Sequence, residues 1–204
     1  RLLNQVCYKN MKYISVSIEL TMSQWSSLFA ENGLGVSKVV GDLLGPCLFA
    51  ILMGIGRTIY GILGNKVQIE RAHLYSGLLC VICYLVTSLA FNPFLSLLRC
   101  AVCGLSISLM WPGTFSMSAK YYPQGGVMMF GLLAIAGDVG ASIGPWIAGV
   151  ISDIVQTMNG IDQYMISLSA EQIGLKAGLL VAIIFPLLLC VGILLLKKGD
   201  IKKC

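Results

Sequence analysis

The sequence predicts an all-α membrane protein of about six transmembrane helices, built as two three-helix units. Three observations predict this fold. Of 204 residues, 57% are apolar and only 11% charged, whereas soluble domains carry about a quarter charged residues. The apolar residues fall in long runs: Leu74 to Ala90 and Ala177 to Leu196 contain no charge, and a helix needs about 20 such residues to cross the hydrocarbon core. The few charges that do fall inside the apolar segments recur in a regular order along the chain. No cleavable signal peptide is visible, because the first dozen residues are polar and basic. The chain opens on Arg1 rather than Met, so the expectation is a part of a longer polypeptide.

The first helix is expected from Tyr13 to Ala30 and is the weakest, being polar and containing Glu19. The second runs from Leu43 to Gly64, the third from Leu74 to Ala90, and the fourth from Phe94 to Ala119. The fifth runs from Val127 to Ser152 and the sixth from Ala177 to Leu196. Asn92-Pro93 separates the third from the fourth, and Pro123 with Gly125-Gly126 separates the fourth from the fifth. The long polar connection from Asp153 to Lys176 is expected to hold a short surface helix from Ser169, with Ser169 as its cap. Together these form one six-helix domain over residues 1–204.

Basic residues orient the bundle. Arg1, Lys9, Lys12, Lys66, Arg71, Lys120, Lys197, Lys198, Lys202 and Lys203 fall on the face that holds both termini, and Lys38 and Lys176 on the other. That bias predicts cytoplasmic termini. It also accounts for the net charge of +5 without a nucleic-acid partner; the lipid bilayer is the expected one.

Four ionisable residues fall inside the spans: Glu19, Arg57, Arg99 and Asp138. Each costs about 3 kcal/mol near mid-bilayer and calls for a reason. They occupy the first, second, fourth and fifth helices and leave the third and sixth plain. The repeated order of two charged helices and one plain helix reads as two three-helix units. Gly41-Asp42 with Gly45-Pro46 on the second helix resembles Gly137-Asp138 with Gly144-Pro145 on the fifth, and Trp25 with Phe29 matches Trp111 with Phe115. Corresponding helices run in opposite directions, as in the inverted repeats of secondary transporters.

On the fifth helix Ala136, Gly140, Gly144, Ala148 and Ser152 recur every four residues, a stripe that admits a neighbouring backbone. Asp138 lies two residues off the stripe and so on roughly the opposite face. It is expected either to pair with a buried Arg or to serve as a proton or substrate site. Arg57 and Arg99 each lie within two turns of a helix end, so snorkelling competes with a buried role. Trp111 leans toward a ligand wall and Trp146 toward packing.

Other chemistry is weakly supported. Cys80, Cys83, Cys100 and Cys103 form two CxxC pairs, but each lies in an apolar run where Cys acts as a small hydrophobe, so neither a metal nor a cofactor is expected. There is no HExxH motif and no Tyr-Asp pair, which leaves metal- and aspartate-based intramembrane hydrolysis without a motif. His73 is expected as a solvated residue of a basic loop.

The stretch Gly61-Ile62-Leu63-Gly64-Asn65-Lys66 resembles the signature loop of the major facilitator superfamily. Asn65 stands where that family usually has an acidic residue, and Lys66 where it has Arg. Gly41 to Lys66, Trp111-Pro112-Gly113-Thr114 to Pro123, and Gly137 to Asp153 look like a bacterial branch related to fucose-permease-like sugar transporters. The resemblance implies the carboxy-terminal half of such a transporter in a bacterial cytoplasmic membrane, lacking its amino-terminal six-helix half. It implies a small organic solute, sugar-like, moved with protons. Glu19, Gln24, Trp25, Arg99 and Trp111 would then line the cavity, and Asp138 would couple protons. Arg57, Gly61, Gly64, Asn65 and Lys66 would form the cytoplasmic gate. A carboxylate suits proton coupling because desolvation and a neighbouring cation pull its proton affinity in opposite directions. A non-transporting membrane subunit is the alternative.

Overall fold

The computed structural model describes residues 13–25, 28, 37–63, 68–89, 93–121, 123–158 and 169–201. These residues are almost wholly helical, and no strand occurs among them. The first helix, α1, covers residues 13–25. It is followed by α2 (Lys38–Asp42), a π-helical turn (Leu43–Cys47), α3 (Leu48–Leu63) and α4 (Ile69–Leu89). Then come α5 (Pro93–Ile107), α6 (Met110–Tyr121), α7 (Gly126–Thr157), α8 (Ala170–Ala182) and α9 (Ile184–Ile201). Five helical segments are long and apolar enough to cross a membrane: Lys38–Leu63, Ile69–Leu89, Leu98–Lys120, Gly126–Thr157 and Ala170–Leu195. The chain is therefore a multi-pass helical membrane protein. The described part of α1 is shorter than a full span, and the rest of the expected first helix, apart from Leu28, lies outside the described residues.

Prolines shape three of the spans. Pro46 has no N–H to offer the Asp42 carbonyl, and the helix widens around it into the π-turn between α2 and α3. Pro112 likewise leaves the Ser108 carbonyl without its usual donor. The expected single helix from Phe94 to Ala119 accordingly breaks at Ser108–Leu109 into α5 and α6. The Ser108 amide is shared between the Gly104 and Leu105 carbonyls at 3.1 and 3.3 Å, and the Ser108 hydroxyl donates to Leu105 O at 2.7 Å. Pro186 has the same effect at Ile183, where α8 gives way to α9.

Ser169 does cap a helix, with a reciprocal pair of bonds to Gln172 at 3.3 Å each. That helix is not a separate surface element, however. It continues as α8 into the last span, which begins at Ala170 rather than Ala177. Reading apolarity alone misses such extensions, because a helix keeps winding through its charged interfacial turn. The third span starts early for the same reason, at Ile69 with Glu70 and Arg71 in its first turn.

The polar helix α1 lies at the centre of the bundle. Ser17, Ile18 and Thr21 are fully buried and Met22 nearly so. Its backbone accepts from two neighbours: the Tyr84 hydroxyl of α4 donates to Ile18 O at 2.8 Å, and the Cys100 thiol of α5 approaches Met22 O at 3.7 Å. Trp25 packs on Gly178 of α8. Hydroxyls and carbonyls are affordable here because the helix meets protein rather than lipid on most sides.

α7 meets α1 and α8 through its small-residue stripe. Ala136, Gly140, Gly144, Ala148 and Ser152 are all buried. A Cβ placed on Gly140 would collide with the Tyr13 carbonyl oxygen, and one on Gly144 would stand 2.8 Å from Ser17 Cα. Ser17 closes this contact by donating to Gly140 O at 2.8 Å. Toward α8, a Cβ on Gly178 would stand 2.7 Å from Ala148 O. Hydrocarbon tails are as apolar as leucine, so such helices gain little from burial against each other. They gain instead from close van der Waals contact and backbone-directed hydrogen bonds.

Candidate functional site

The intramembrane charges are placed differently from one another. Glu19 of α1 and Arg57 of α3 meet, with Oε1 3.6 Å from the guanidinium; their side chains are 19% and 42% exposed. Arg57 also lies 3.4 Å from the Met53 sulfur. The sequence placed Glu19 in a cavity and Arg57 at a gate; the structure joins them in one pair that ties α1 to α3. Removing either charge takes this counter-ion from its partner in a low-dielectric setting. Glu19→Gln and Arg57→Met are each expected to cost about 1–3 kcal/mol, and the double variant less than their sum. Additive losses in a double-mutant cycle, read by thermal unfolding in detergent, would show that the two charges are not coupled.

Asp138 stands apart. It lies on α7 about 18 Å from the helix start at 1.5 Å per residue, on the exposed face opposite the stripe. Among the described residues its carboxylate makes no hydrogen bond or ion pair; only its backbone carbonyl accepts, from Ser142 Oγ at 3.1 Å. Gly131, Ile135 and Ser142 share that exposed face. The expected pairing with a buried Arg does not occur among the described residues. Arg99, on α5, is half-buried and likewise makes no ion pair there.

An aromatic patch links α6 to α7. Trp111, 42% exposed, meets Phe115 edge-on at 4.7 Å between ring centroids. Phe115 in turn stacks on Phe130 at 5.6 Å. Of the remaining predicted cavity residues, Gln24 is exposed at the end of α1, while Trp25 is buried against α8. Trp146, expected to be a packing residue, is 65% exposed; it projects from α7 away from the stripe. Gly61 is exposed on the last turn of α3, and Gly64, Asn65 and Lys66 lie outside the described residues.

His73 corrects the loop expectation outright. It sits inside α4, fully buried, with its ring pressed over Gly113 of α6, where no Cβ could fit. Its Nε2 lies 3.4 Å from the Thr114 hydroxyl, and its Nδ1 has no partner among the described residues. The missed signal is Gly113-Thr114: a residue without a side chain followed by a hydroxyl leaves room and a partner for a ring. Glu70 and Lys120, 2.8 Å apart, bring the start of α4 and the end of α6 to one end of the bundle.

The four CxxC cysteines converge between α4 and α5 and belong to the apolar core. Cys80 and Cys103 sulfurs are 3.5 Å apart, and all four cysteines are free and buried. Among the described residues no group of three or more His, Cys, Asp or Glu side chains is placed to hold a metal ion.

The arrangement thus combines a charge pair joining α1 to α3, an aromatic patch, and a mid-span carboxylate turned outward. No protein-family model, curated protein or solved structure matches this chain.

Proposed function

We propose that this chain is the carboxy-terminal half of a secondary active transporter of the major facilitator type, moving a small, sugar-like organic solute together with protons. The observation that carries the reading is Asp138. It stands near the middle of a membrane-spanning helix, on its exposed face and without a counter-ion among the described residues. A carboxylate facing lipid there would cost about 3 kcal/mol. The cost is avoided if that face borders water, and a second helical half opposite α7 would enclose such a water-filled path. Substrate sites of rocking transporters lie at the interface between repeats near the midplane. The aromatic patch on the adjoining α6 gives a sugar ring a surface to stack on, and Gln24 offers amide hydrogen bonds.

In this reading the helices form two inverted three-helix repeats, both termini face the cytoplasm, and the membrane is a bacterial cytoplasmic one. Gly61 at the end of α3 and the following Gly64, Asn65 and Lys66 belong to the cytoplasmic gate. The Glu19–Arg57 pair fixes α1 against α3 beside that gate.

The test joins genetics and transport. The reading frame upstream of Arg1 is translated, and six further apolar spans with a better-preserved signature loop are expected. The whole frame is then reconstituted in liposomes with an imposed pH gradient and offered labelled neutral sugars and organic acids. Gradient-driven uptake of a sugar would support the reading. A frame without further spans, or a twelve-helix protein that moves none of these solutes, would overturn it and favour a non-transporting membrane subunit.

A further inference from the structure

The surface of α5 is indented on both sides of Leu105 and Leu109. The larger groove, about 550 Å³, runs between α4 and α5 from Arg71 past Tyr75 to Leu79. The smaller, about 260 Å³, lies between α3 and α5 over Gly56. Both are lined by Leu105 and Leu109. They flank the break between α5 and α6 at Ser108–Leu109, with Leu105 and Leu109 standing between them.

The charge of the larger groove is one-sided. Arg71 stands exposed in the first turn of α4, at the bundle end marked by the Glu70–Lys120 pair. Lys120 already engages Glu70, and among the described residues Arg71 has no ion-pair partner. One turn further in, Tyr75 is 68% exposed, the position of an interfacial aromatic. Beyond it the walls are Leu79, Leu105 and Leu109, with Ser76 and Ser106 between them. From Arg71 to Leu79 the groove descends about 12 Å along the helix, from headgroup depth into the acyl region. A cation at the mouth, an aromatic at the boundary and two apolar channels below match one ligand chemistry: an anion carrying two hydrocarbon chains.

We propose that the twin groove binds an anionic phospholipid, with its phosphate on Arg71 and its two acyl chains astride Leu105 and Leu109. Juxtaposed basic residues and interhelical grooves at a membrane interface favour such headgroups. The site depends only on the membrane-spanning fold and not on the transport reading.

The purified full chain is incubated with phosphatidylglycerol or phosphatidylcholine in detergent, and retained lipid is counted by native mass spectrometry. One phosphatidylglycerol per chain is expected, retained about fivefold better than phosphatidylcholine, the effect of one Arg beside an anionic lipid. Arg71→Gln is expected to reduce phosphatidylglycerol to the phosphatidylcholine level. Leu79→Trp, which fills the apolar wall, is expected to lower both, with folding of each variant checked by thermal unfolding. Equal retention of the two lipids, or retention indifferent to Arg71→Gln, would overturn the proposal. So would displacement of the lipid by millimolar glycerophosphate, which would assign binding to the headgroup alone. A lipid-free dimer would place a second copy over the groove and overturn it as well.

Discussion

Gly140→Leu is expected to separate α1 from α7 and to destabilise the bundle by at least about 3 kcal/mol, the upper range for overpacking. A first side-chain carbon at Gly140 would collide with the backbone carbonyl of Tyr13. Backbone cannot rotate away as a side chain can, so the helices must part. Parting them also breaks the hydrogen bond from the Ser17 hydroxyl to Gly140 O at 2.8 Å and leaves that hydroxyl only its own helix's Tyr13 carbonyl at 3.0 Å. Gly149→Leu is the matched control. It lies on the same helix, and a Cβ there meets nothing within 4 Å, so its expected effect is near zero. Thiol-reactive dye labelling during heating reads this directly, because Cys80, Cys83, Cys100, Cys103 and Cys190 are buried and free. A shift of about 10 °C is expected for Gly140→Leu, from 2–4 °C per kcal/mol for a chain of this size. Equal shifts in the two variants would mean that the stripe does not carry the packing.

Asp138→Asn is expected to abolish pH-driven accumulation in the complete transporter while sparing solute exchange. Asn keeps the shape of the side chain and loses the titrating oxygen, so a proton can no longer be carried on it. Exchange of labelled for unlabelled solute requires only that the protein reorient with solute bound, and it should persist. Stability should be unchanged or slightly higher, since no described residue pairs with this carboxylate and removing an intramembrane charge relieves its cost. Accumulation unchanged from wild type would remove Asp138 from the coupling role. Loss of accumulation and exchange together, with a lowered unfolding temperature, would make it a structural residue instead.

Much of the fold is legible in the sequence. The apolar runs and their Pro and Gly breakers locate the spans, because the bilayer imposes a length that no other environment does. The stripe on α7 is legible too, since small residues at every fourth position have few uses other than helix contact. Helix ends were less so. α4 and α8 begin five and seven residues before their apolar runs, because Glu70, Arg71, Glu171 and Lys176 are tolerated in an interfacial turn of the same helix.

The candidate site was legible only as a set of residue types. The sequence singled out Glu19, Arg57, Arg99 and Asp138 as charges needing an account. It could not say that Glu19 and Arg57 meet while Asp138 stands alone on an outer face. Glu19 and Arg57 are 38 positions apart in the chain, and no local pattern records which helices touch. His73 was misplaced for the same reason. Flanking charges mark it as part of a loop, whereas Gly113 and Thr114, forty positions on, make room for it in the interior.

The sequence by itself determined that this chain crosses the membrane several times as helices, where most spans lie and which face of α7 packs. Those properties follow from the local chemistry of each segment against a solvent that cannot hydrogen-bond. Only the tertiary structure decided that polar α1 is the centre of the bundle, that Glu19 answers Arg57, and that the cysteines converge in the core. Those outcomes depend on which helix backbones approach one another. That approach is set by side chains distant in sequence, whose fit appears only once the helices are packed.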